Sequence, residues 1–103
     1  SGTYDTLINY TEAATITDDD ETEGYCEGYY TQAADLYKNG EYESAIQQCS
    51  KCLELDPTKG IVWTLRGASK EQLGNKDGAC SDWRKAISLG FSAAEQFIEG
   101  NCN

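Results

Sequence analysis

The chain has 103 residues, enough for one domain with a modest hydrophobic core and little stability to spare. Its 18 acidic and 8 basic residues give a formal net charge of −10, which disfavours nucleic acid and anionic membrane surfaces, since both demand clustered Lys and Arg. No apolar run approaches the roughly 18 residues that would cross a bilayer, so no membrane insertion is expected.

With no Met anywhere in the chain, Ser1-Gly2 is not expected to be a native translation start, and the lack of a visible targeting segment carries little weight. Residues 4–16 (YDTLINYTEAATI) have helical periodicity through Leu7, Ile8 and Ala14 and are expected to form an N-terminal helix. They contain the sequon Asn9-Tyr10-Thr11, a triplet that is common by chance. Residues 17–23 (TDDDETE) read as an acidic linker, so residues 1–23 are expected to stand apart from a domain over 24–103. Residues 19–30 fail as a calcium loop. Gly24 occupies the sixth place, but Tyr30 stands at the twelfth, where a bidentate Glu is required.

From there the chain overlays itself at a shift of 34 residues. Tyr29 falls on Trp63, Ala33 on Gly67, Gly40 on Gly74, Ala45 on Ala79, Cys49 on Trp83, Leu53 on Ile87 and Leu55 on Leu89. Each copy, about 26–59 and 60–93, reads as two helices. Tyr29, Ala33, Leu36 and Tyr37 recur at spacings of three and four, and Asn39-Gly40 closes that helix. Ala45, Ile46, Cys49, Cys52 and Leu53 share a face of the next, which Asp56-Pro57 stops because the residue before proline is pushed out of helical geometry. Trp63, Gly67 and Lys70 lie on a third helix closed by Gly74-Asn75. Ala79, Cys80, Trp83, Ala86 and Ile87 lie on a fourth closed by Gly90. Ala33, Ala45, Gly67 and Ala79 are expected where paired helices cross, since only small side chains allow close approach. Residues 91–99 (FSAAEQFIE) read as an amphipathic capping helix within 92–101, with Phe97 and Ile98 inward and Glu95 and Glu99 outward.

The period, the aromatic–small pairs Tyr29/Ala33 and Trp63/Gly67, the turn glycines, Ala45/Ala79, Cys49/Trp83 and Leu55-Asp56-Pro57 resemble the tetratricopeptide repeat family over about residues 26–93. The chain departs from that pattern at Gln32, Cys49 and Cys52 in the first copy, and at Lys70, Lys76, Gly90 and Phe91 in the second. The resemblance implies an all-α solenoid of antiparallel helix pairs, with two full repeats, an N-terminal helix and a C-terminal cap. It also implies a scaffold that binds a peptide or partner protein on a concave face lined by the first helix of each pair. Carried over, that face comprises Glu27, Tyr30, Ala34, Tyr37 and Lys38 from the first copy, and Ile61, Thr64, Ala68, Glu71 and Gln72 from the second. Family members that bind chaperone tails hold a C-terminal carboxylate with inner Lys and Asn. The matching positions here are Tyr30, Ala34 and Leu65, so that guest is not implied. The acidic balance suits a basic partner. The competing expectation is a self-associating segment, either a homo-oligomer or part of a longer array, because two full repeats are fewer than the roughly three usual for independent stability. Residues 78–90 (GACSDWRKAISLG) also resemble repeats of bacterial cell-envelope proteins.

Catalysis is not expected. There is no His to activate a nucleophile, and Cys49 and Cys52 sit on apolar faces as core thiols. No cofactor is expected, and zinc is disfavoured because Cys49 and Cys52 have no second ligand pair. Five cysteines cannot all pair within one chain. A cap folded back over the fourth helix would bring Cys102 to Cys80, so a disulfide is expected there in an oxidising compartment, with Cys26–Cys52 as a weaker second pair. That bond would place the protein in a bacterial envelope or periplasm. Without it, a cytoplasmic protein is equally compatible.

Overall fold

The computed structural model describes residues 19–102, with side chains described from Gly24 onward. Helices α1 (Asp19–Lys38), α2 (Tyr42–Leu55), α3 (Gly60–Gln72) and α4 (Lys76–Ser88) are followed by a 3₁₀ turn (Ser92–Ala94) and a short helix α5 (Glu95–Ile98). The described residues are helical and contain no strand. α1 packs on α2 and α3 on α4. α2 lies against α3, α1 touches α3 more lightly, and the cap rests on α4. This is the expected repeat solenoid, two helical hairpins stacked side by side.

The expected N-terminal helix over 4–16 lies outside the described residues. The expected linker is corrected: from Asp19 its acids already belong to α1. Carboxylates in a first turn sit against the positive end of the helix macrodipole, so a run of acids favours a helix start there.

The 34-residue period recurs in the backbone. After α1, Glu41 N–H donates to Leu36 O (2.9 Å) and Gly40 N–H to Tyr37 O (3.0 Å). After α3, Asn75 N–H donates to Lys70 O and Gly74 N–H to Glu71 O, both at 2.9 Å. These are paired Schellman closures, and each needs a left-handed residue, supplied by Gly40 (φ 81°) and Gly74 (φ 88°). α4 ends in the same way through Phe91 N–H to Ala86 O (3.0 Å). α2 ends differently, with extended Asp56 (φ −146°) before Pro57 and the Asp56 carboxylate accepting the Thr58 N–H at 3.1 Å. The Thr58 hydroxyl donates to the same oxygen and is the main reason the Asp56 carboxyl lies below its ordinary pKa, with the Thr58 N–H adding to it. Side chains follow the period as well. Lys51 lies 5.7 Å from the Tyr29 ring, and Lys85 lies 5.9 Å from the Trp63 ring.

The small residues do the work expected of them. Ala33, Ala45 and Ala79 are fully buried. A Cβ at Gly67 would stand 2.7 Å from Trp83 Nε1 and 3.1 Å from Ala79 O. The repeats therefore compensate in volume: Ala33 and Cys49 in the first copy become Gly67 and Trp83 in the second. Trp83 is fully buried, donates its indole N–H to Thr64 O (3.2 Å), and stacks on Phe97 with centroids 5.4 Å apart.

The core also contains charge. Arg66 binds both oxygens of Asp82 (2.9 and 3.0 Å) and donates to Ser50 Oγ (3.1 Å), and Lys70 Nζ lies 3.1 Å from Asp82 Oδ2. Asp82 is only 2% exposed, while Arg66 also covers the Trp63 ring at 4.8 Å. A forked guanidinium and an ammonium together satisfy a carboxylate that would be costly to bury alone. The bond to Asp82 raises the Arg66 pKa.

Cys80 and Cys102 are joined, with their Cα atoms 5.7 Å apart. Cys26 and Cys52 are joined as well, with Cα atoms 4.2 Å apart, which corrects the reading of Cys52 as a core thiol. Cys49 alone is free and buried. The cap is shorter than the continuous helix expected. It begins as a 3₁₀ turn and ends at Gly100 (φ 94°), with Asn101 Nδ2 donating back to Phe97 O at 2.8 Å. Shifted by 34 residues, Phe97 falls on Trp63 and Ala94 on Gly60, so the cap occupies the place of the first helix of a third repeat.

Candidate functional site: a groove between the first helices and the cap

Positions 30 and 37 are seven apart on α1, and 61, 64, 65 and 68 form an i, i+3, i+4, i+7 stripe on α3. These two faces and the cap enclose a groove of about 350 Å³ lined by Tyr30, Tyr37, Ile61, Leu65, Phe91 and Phe97, with Thr64, Ala68, Ala93 and Gln96 completing it. Five of the expected concave residues thus meet in one place: Tyr30, Tyr37, Ile61, Thr64 and Ala68. Glu27 lines an adjoining recess of about 160 Å³ with Cys26, Cys52, Lys59 and Val62, and Tyr30 and Ile61 are common to both hollows. Ala34, Lys38 and Glu71 do not line the groove. Lys38 is exposed in the last turn of α1, and Ala34 and Glu71 are half-buried.

The walls are held from behind. Tyr37 meets Tyr42 edge-on at 5.3 Å, and Phe97 is stacked on Trp83. Phe91 is pinned by its backbone bond to Ala86, and its Cβ stands 2.7 Å from where a Cβ on Gly60 would lie. Thr64 is 8% exposed, and its hydroxyl donates to Gly60 O (2.9 Å), so it belongs to the floor and does not reach for a guest. Ile61, by contrast, is 42% exposed. Burial, and secondarily Cys49, raises the Tyr30 pKa, so its phenol stays a hydrogen-bond donor. Tyr30 has no hydrogen-bond partner among the described residues.

Sequence reasoning placed Leu65 at an inner position without counting it in the binding face, and missed the whole cap wall. The signal was present: Phe97 continues the Tyr29–Trp63 series at the same period, which places the cap on the inner face. The lining carries no charged side chain, in keeping with Tyr30, Ala34 and Leu65 standing where a carboxylate clamp would need Lys and Asn.

Burial disfavours the reactive thiolate of Cys49. Burial pushes its thiol up to about 12, Arg66 opposes that shift, and Asp82 adds to it. No helix among the described residues is long and apolar enough to cross a membrane.

The family model of the tetratricopeptide repeat matches residues 26–59, which take in most of α1, all of α2 and the turn that follows. No curated protein matches the chain. Residues 26–59 are thus similar to a single tetratricopeptide repeat, and the α1 closing turn recurs 34 residues later at the end of α3.

Proposed function

We propose that the chain is an interaction module that holds a peptide or a segment of a partner protein in the groove between α1, α3 and the cap. Tetratricopeptide repeats generally mediate protein–protein interaction. The observation that carries the reading is Ile61, a large apolar side chain 42% exposed inside a groove whose aromatic walls are already fixed by Tyr42 and Trp83. Preset walls lower the ordering cost of binding, and aromatic rings give large contact area with few rotors to freeze. Two closed cysteine pairs suit an oxidising compartment such as a bacterial cell envelope.

The test is capture from cell extract by the wild type beside a Tyr30→Ala/Tyr37→Ala variant, with circular dichroism confirming that both are folded. A partner held by the wild type and lost by the variant supports the groove. Equal capture by both places the binding surface elsewhere.

A further inference from the structure

Resting on that reading, we infer that the guest is a segment with two unequal apolar anchors and Lys or Arg beside the smaller one. The hollows determine the anchors. The groove of about 350 Å³ and the recess of about 160 Å³ meet at Tyr30 and Ile61, so a bound segment meets a large apolar site and a small one in succession. An aromatic or Leu side chain suits the first, between Tyr37, Leu65, Phe91 and Phe97. A smaller aliphatic side chain suits the second, against Val62 and the Cys26–Cys52 bridge.

Charge gives the segment a direction. The larger hollow has no charged lining, so a carboxylate or phosphate entering it would lose water and gain no cation. The smaller hollow is bordered by Glu27, which is exposed, and by Lys59. Glu27 is the one carboxylate among the described residues lining that recess. At a net charge of −10, the whole chain adds to that field. A cation is therefore favoured at the recess end, and charge pairing there acts on encounter and orientation more than on total affinity.

The experiment is selection of a random 12-residue phage-displayed peptide library on the disulfide-intact protein. Fluorescence anisotropy of the selected peptides follows, against wild type, Ile61→Asp and Glu27→Lys. Both substituted side chains are exposed, and circular dichroism checks each fold. Enriched peptides should carry a bulky and a smaller apolar residue, with Lys or Arg beside the smaller. Ile61→Asp should weaken them by about tenfold or more, as for a central apolar anchor. Glu27→Lys should weaken them by a factor that shrinks as salt is raised. Acidic peptides, peptides that need a free C-terminal carboxylate, or indifference to Glu27→Lys would overturn this inference and leave the groove reading standing. An absence of enrichment, or binding indifferent to Ile61→Asp, would overturn the groove reading itself.

Discussion

The exchange of Ala33 and Cys49 for Gly67 and Trp83 makes a prediction about sign. Replacing Gly67 by Ala places a methyl group 2.7 Å from Trp83 Nε1 and 2.8 Å from Cδ1, against an indole with no exposed surface through which to move. Overpacking of this kind costs about 1–3 kcal/mol, whereas Ala over Gly in a helix interior returns about 1 kcal/mol. The net expectation in the wild type is a loss of about 1 kcal/mol. Trp83→Phe removes Nε1, the nearer of the two contacts, along with its N–H bond to Thr64 O, but keeps a ring carbon near the place of Cδ1. That variant is less stable by itself, but within it Gly67→Ala meets less crowding, and with Ala79 O still 3.1 Å away its cost should fall from about 1 kcal/mol toward zero. Urea unfolding followed by circular dichroism on all four proteins measures the cycle. If Gly67→Ala destabilises equally in both backgrounds, the indole is not what excludes a side chain at position 67.

The other predictions concern the charged cluster, the cap and the free thiol. Asp82→Ala leaves Arg66 and Lys70 facing each other without their shared anion, and urea unfolding should show a loss of about 2–3 kcal/mol, toward the low end of buried pairs because both cations remain about a fifth exposed. Cys102→Ser opens a bridge between residues 22 apart in sequence, and should cost about 3 kcal/mol on chain-entropy grounds. Hydrogen exchange in that variant should quicken over 91–98 while α2 is unchanged. Cys49 titrates higher folded than unfolded, so its contribution to stability is complete below its ordinary pKa near 9 and declines as pH rises from there toward 12. Cys49→Ala should therefore show a shallower fall in unfolding free energy between pH 9 and 11, by about 1.4 kcal/mol per pH unit. Equal slopes would mean that the thiol ionises freely in the fold.

Much of this architecture was legible because repeat packing imposes the same size at the same place. Gly40 and Gly74 close α1 and α3 through the same two backbone bonds, and Tyr29 and Trp63 receive Lys51 and Lys85 at nearly the same distance. Cys80–Cys102 followed from the cap folding onto α4. Cys26–Cys52 was harder to see, because Cys52 occupies an apolar stripe where a buried thiol would pack equally well. Asp82 left a clue that went unread. It stands on the stripe formed by Ala79, Trp83 and Ala86, one helical turn from each end, where a carboxylate has to bring cations inward with it. The acids from Asp19 looked like solvated linker because charge alone does not separate a linker from a helix start. In the site, helical spacing found the α1 and α3 walls. The cap wall was missed because a segment read as a cover for the core also turned Phe91 and Phe97 into the groove.

The proposed function puts the guest in the inner groove and on no other surface. Hydrogen–deuterium exchange of the protein with and without its captured partner tests this most directly. Added protection is expected over residues 61–68 and 91–97, with the outward faces of α2 and α4 unchanged. Protection confined to α2 and α4, with the groove exchanging as in the free protein, would contradict it.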